Sequence, residues 1–117
     1  MRGDENRVVD AFCAWLESNG WSVEREVEYV DVVATRDGVR LYAEAKGRTE
    51  AMSTDVDTMY GQILRRMPFG ERESDRFAVV VPTPAVQAAL RVSSRVRALL
   101  RISVFEVTDA DEVREVG

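Results

Sequence analysis

The hydrophobic positions along this 117-residue chain change their spacing several times, and each change marks an element. Val8, Val9, Phe12, Trp15 and Leu16 recur at helical spacing. They predict a first helix, capped by Asp4 or Gly3 and running to about Asn19, with Gly20 in the position past a helix end that favours glycine. Trp21 to Glu28 alternates, with Trp21, Val23 and Val27 on one side, as a half-exposed strand does. Tyr29 to Arg36 is rich in β-branched residues and predicts a more buried strand. Asp37-Gly38 is a two-residue hairpin signal, and Val39 to Lys46 is the returning strand.

After a polar loop, Gly47 to Ser53, the helical spacing returns. Val56, Met59, Tyr60, Ile63, Leu64 and Met67 form the apolar stripe of a helix from about Thr54 to Met67, stopped by Pro68. Phe69 to Arg76 is polar and predicts an exposed loop, and Phe77 to Val81 a short apolar strand bounded by Pro82. Thr83-Pro84 is a cap followed by proline at the first helical position, opening a third helix to about Arg101. Ile102 to Val107 reads as a last strand, and the tail from Asp109 as a short helix or a frayed end. The order predicts a single α/β domain over residues 1–117, one central mixed sheet flanked by helices.

Composition narrows the chemistry. The chain has no histidine, which removes a Ser/His/Asp triad, a histidine base and the usual catalytic zinc site. Its one cysteine, Cys13, allows no internal disulfide and reads as a small buried hydrophobe; the composition fits a reducing cytoplasm. No apolar run approaches a membrane span, and no signal-peptide pattern opens the chain. The net charge of −5 is unevenly spread. Residues 1–59 carry 7 basic and 13 acidic groups, residues 60–101 carry 8 and 3, and residues 102–117 carry 1 and 5. A basic middle can meet phosphates while acids elsewhere hold cations. Of the 16 basic residues, 15 are arginine and Lys46 is the one lysine. Arginine keeps its proton in a protein, whereas a lysine in a tuned environment can lose it.

The hairpin places that lysine in company. With Asp37 and Gly38 as the turn, Arg36 faces Val39, and the register continues until Asp31 faces Glu44 as a non-hydrogen-bonded pair, Cα atoms roughly 4.5 Å apart. Like charges so placed repel, and a divalent cation between them reverses the sign. Period two puts Lys46 on the face of Glu44, while Ala43 and Ala45 point the other way. Hard carboxylate oxygens suit Mg²⁺ or Mn²⁺, and such a metal acidifies a bound water and neutralises charge on a phosphate. Lys46 would orient or deprotonate the attacking water, or stay charged and stabilise the transition state.

The stretch YVDVVATRDGVRLYAEAKG resembles the core motif of the PD-(D/E)xK nuclease superfamily, an Asp on one strand followed by Glu-x-Lys on the next. The preceding helix and YGQILRRM resemble its Holliday-junction-resolvase and restriction-endonuclease-like branches, over about residues 4–82. The resemblance implies a restriction-endonuclease-like αβββαβ core and a Mg²⁺-dependent nuclease acting on DNA, with Mn²⁺ able to substitute. By position it implies Asp31 and Glu44 as metal ligands, the Ala45 carbonyl as a further ligand, and Lys46 as the catalytic lysine. Glu5 matches a first-helix glutamate that reaches the metal in many members, and Gln62 a glutamine on the following helix. Val30 stands where the motif's name has proline, and Arg66 where some branches carry tyrosine.

Arg48, Arg65 and Arg66 are candidate phosphate contacts. Arg91, Arg95, Arg97 and Arg101 share the third helix with no acid among them, and Arg91 and Arg95 share a face. Gly61, inside a helix, suggests close approach of a backbone or substrate. A domain this small has limited recognition surface, which predicts a homodimer or a larger protein partner. The alternatives are a non-catalytic nucleic-acid-binding or assembly module on the same fold and, more remotely, an acidic DNA-mimicking inhibitor.

Overall fold

The computed structural model of the protein describes residues 2–27, 30–67 and 73–117. Helix α1 (Arg2–Ser18) leads into strands β1 (Ser22–Val27), β2 (Val30–Arg36) and β3 (Val39–Ala45). Helix α2 (Met52–Arg66) follows, then β4 (Arg76–Pro82), a 3-10 turn (Thr83–Ala85), short helices α3 (Val86–Ala89) and α4 (Ser94–Leu100), and strands β5 (Ile102–Val107) and β6 (Val113–Val116). The expected strand ends at Glu28 and Tyr29, the helix stop at Pro68 and the first half of the loop from Phe69 lie outside the described residues.

The six strands form one open mixed sheet in chain order. β1, β2 and β3 are an antiparallel meander, β3, β4 and β5 run parallel, and β6 returns antiparallel to β5. The restriction-endonuclease-like αβββαβ core expected from the sequence is therefore present. Asp37 and Gly38 take φ of 51° and 80°, the two positive values a type I′ hairpin demands, and Arg36 pairs with Val39.

Strand alternation splits the apolar residues into two cores. Val32, Ala34, Leu41, Ala43, Ala45, Ala78, Val80 and Phe105 meet Val8, Phe12 and Leu16 of α1. Phe12, Trp15 and Phe105 join there, with Phe105 5.1 and 5.3 Å from the other two ring centroids. Cys13 is buried in this core, as its apolar neighbours led us to expect. On the other face Tyr42, Phe77, Val79, Val81 and Val104 meet Val56, Met59, Tyr60 and Ile63 of α2. Burial on both faces is why β4 reads Phe-Ala-Val-Val-Val without alternation.

Four expectations are corrected. The first helix begins at Arg2, so Gly3 and Asp4 both lie in its first turn and neither is its cap. The third helix is not continuous: Ser93 accepts a hydrogen bond from the Val96 N–H at 3.3 Å and starts a new helix. Local capping there outweighs the apolar spacing that runs through it. Arg91 consequently sits in the break, donating to Ser53 Oγ at 2.5 Å, and does not share a helical face with Arg95. The tail forms β6, where Arg114 pairs with buried Glu106 at 2.6 Å. Gly61, finally, has nothing among the described residues within 4 Å of where a Cβ would stand, so of the backbone or substrate expected beside it no described backbone is there.

Candidate active site

The sheet forks at one point. Pairing of β1 with β2 continues to Val27 opposite Val30, and pairing of β3 with β4 to Ala45 beside Val80, while that of β2 with β3 stops at Val32 opposite Ala43. The Lys46 N–H donates to the Val80 carbonyl at 3.0 Å, so β3 stays with β4 as β2 leaves. Asp31 and Glu44, next in the same register, fill the gap with side chains. The Glu44 carboxylate accepts the Asp31 backbone N–H at 3.2 Å, and the Asp31 carboxylate accepts the Ala45 N–H at 2.9 Å. Two carboxylates thereby replace ladder bonds that the fork has opened.

Their surroundings differ. Asp31 is half-buried, whereas Glu44 is 2% exposed. Burial first, and then the Asp31 charge, push the Glu44 carboxyl up to about 7 from its ordinary 4.5. Arg66, from the last turn of α2, brings Nε to 3.7 Å of Glu44 Oε1 and opposes that shift.

The first turn of α1 closes the other side. A Cβ on Gly47 would lie 2.7 Å from the Asp4 carbonyl carbon and closer still to the Glu5 nitrogen, so only glycine lets the loop after β3 lie against the helix start. Lys46 Nζ is then 3.9 Å from Glu5 Oε1, both half-buried. Asp4 accepts the Arg48 backbone N–H, which holds its carboxyl below the ordinary range, and also Arg7 Nε at 3.1 Å. Arg7 donates to Asp111 Oδ1 at 2.7 Å and to the Thr108 carbonyl at 3.0 Å, and Arg48 Nη2 stands 3.7 Å from Asp109 Oδ1. The start of α1, the loop after β3 and the β5–β6 turn are tied together in this way.

Of the residues singled out from the sequence, the fold brings Asp31, Glu44, the Ala45 backbone and Arg66 to the fork, with Lys46 and Glu5 paired beside it. Gln62 lies half-buried on α2, and Arg65 and Arg48 are exposed. Asp4 was not anticipated as an anchor of the loop; the adjacency of Lys46 and Gly47 was its one signal in the sequence. Among the described residues, no group of three or more acidic, histidine or cysteine side chains is placed to hold a metal. Two hard carboxylates do face each other, one of them pushed towards protonation first by its burial and then by the charge of the other. A divalent cation would remove that conflict, so the donor set fits Mg²⁺ or Mn²⁺.

No protein-family profile matches the chain, and no curated protein matches it in sequence. Solved structures do match. One is an XisH family protein from Nostoc punctiforme, with a TM-score of 0.64 at 15% identity, covering 95% of this chain and 99% of the other. A second is an fdxN element excision controlling factor protein from Anabaena variabilis, with a TM-score of 0.67 at 12% identity, covering 96% and 99%. At these identities the likeness is one of fold, and it extends over nearly the whole of both chains. Among the described residues, no helix is long and apolar enough to cross a membrane.

Proposed function

We propose that this protein is a metal-dependent nuclease that hydrolyses phosphodiester bonds in DNA. The reading rests on the sheet fork, where Asp31 and Glu44 each accept a backbone N–H from the other's strand and Lys46 follows two residues after Glu44. Asp31, Glu44 and the Ala45 carbonyl would hold Mg²⁺, with Mn²⁺ able to substitute. A divalent cation there supplies an acidified water and neutralises charge developing on the phosphate. The chain's own residues do the rest. Lys46, its charge balanced by Glu5, orients the attacking water or stabilises the transition state as a cation. Gln62 on α2 positions Lys46 or a phosphate oxygen, and Arg48 and Arg65 are exposed to receive flanking phosphates. One structural neighbour is described as an excision controlling factor, a description compatible with work on DNA.

The test is cleavage of labelled single-stranded, duplex and four-way-junction DNA with Mg²⁺, Mn²⁺ or EDTA, comparing wild type with Lys46→Ala. Cutting that needs metal and disappears in the variant supports the nuclease. No cutting of any substrate, with equal DNA binding by both proteins, leaves the second reading, a non-catalytic nucleic-acid-binding module. That reading draws on one observation: a cationic side chain, Arg66, already stands 3.7 Å from Glu44 Oε1 and partly offsets its charge.

A further inference from the structure

Arg66 stands where some branches of the resembled superfamily carry tyrosine, and it reaches inward. Its side chain is 19% exposed and that of Glu44 3%, with Nε 3.7 Å from Oε1. A buried carboxylate beside a second carboxylate has two remedies, a proton or a counter-charge, and this guanidinium is a counter-charge that cannot be titrated away. The same fork is where the divalent cation of the preceding reading would sit. A guanidinium in contact with Glu44 and a divalent cation bound to Glu44 repel strongly at such range in a partly dry site.

We propose that Arg66 is a built-in counter-ion of Glu44 which the incoming cation has to displace, so that this one side chain sets the protein's cation affinity. The inference rests on the metal-site reading and adds to it a positioning residue with a predicted sign. The two partners are coupled: Arg66 stabilises the metal-free protein and opposes loading. Its removal therefore acts in opposite directions on the two states.

Titration calorimetry with Mn²⁺ on wild type, Arg66→Gln, Arg66→Lys and Glu44→Gln tests it, together with melting temperatures in EDTA and in saturating Mn²⁺. Arg66→Gln is expected to bind Mn²⁺ about fivefold or more tighter than wild type. It is expected to melt below wild type in EDTA, with the gap closing in Mn²⁺. Arg66→Lys, which keeps the charge, is expected to stay close to wild-type affinity. Unchanged or weaker Mn²⁺ binding by Arg66→Gln, in a protein whose wild type binds Mn²⁺ through Glu44, overturns the inference alone. If wild type and Glu44→Gln behave alike towards Mn²⁺, the metal-site reading falls first and takes the inference with it.

Discussion

At the scale of single residues, the fold holds Glu44 against its ionised form. Its carboxyl is pushed up to about 7 in the fold, from 4.5, by burial and by Asp31. Between those values the folded protein holds a proton that the unfolded chain has released. Stability of the metal-free protein therefore falls as pH rises from about 4.5 through 7, and the full penalty stands above 7. Its order of magnitude is about 3 kcal/mol. Glu106 shifts the opposite way, held low by Thr83 and Arg114, so its contribution is complete above 4.5 and lost only in more acid solution. Burial raises Cys13 and Tyr60 from values already above the window. Melting curves in EDTA between pH 5 and 8 are thus expected to show a decline in wild type that Glu44→Gln largely abolishes. An equal decline in both proteins would place the cause elsewhere.

At the scale of elements, two glycines separate cleanly. Gly47 lies against the backbone of Asp4 and Glu5, and a methyl group there has to push α1 away from the loop. Gly47→Ala is expected to cost about 1–3 kcal/mol in a denaturant titration and to abolish most cleavage, because Lys46 and Glu5 lose their alignment. Gly61 has open space at its Cβ among the described residues, and Gly61→Ala is expected to stabilise by up to about 1 kcal/mol. Loss of cleavage in that more stable variant would show that substrate needs the space. The same scale shows what was legible in the sequence. The β2–β3 hairpin was, because a two-residue turn with two positive φ values leaves one register, and that register delivers Asp31 to Glu44. The break at Ser93 was missed, since one side-chain cap competes there with an apolar spacing that favours continuity. β6 was missed because its strand character comes from Glu106 and Phe105, its partners on β5, and not from its own four residues. The tie from Asp4 to Arg48 spans 44 positions, and its one trace in the sequence is the glycine that follows Lys46.

At the scale of the whole molecule, the described arginines of the basic middle do not all join one basic surface. Arg97 is buried with Nε on the Val92 carbonyl, and Arg66 is turned to Glu44. Arg76 and Arg101 stand at the starts of β4 and β5, with Arg76 alongside Leu41 and three residues along the ladder from Glu44. Near the fork, among the described residues, Lys46, Arg48 and Arg65 are the cations proposed to meet phosphates. Duplex binding loses affinity with salt at a log–log slope of about −0.9 for each phosphate neutralised. One protein molecule using these three cations is expected to give a slope of about −3. The homodimer anticipated from the small recognition surface would present two such sets to one duplex and give about −5. Fluorescence anisotropy of Lys46→Gln on duplex DNA in Ca²⁺, across a salt series, reads this directly, less the one contact removed in each protomer. Light scattering on the same samples supplies the stoichiometry. A dimer by scattering with a single-site slope would mean that the two forks face different duplexes, and a slope steeper than either value would bring the distant Arg76 and Arg101 into the interface.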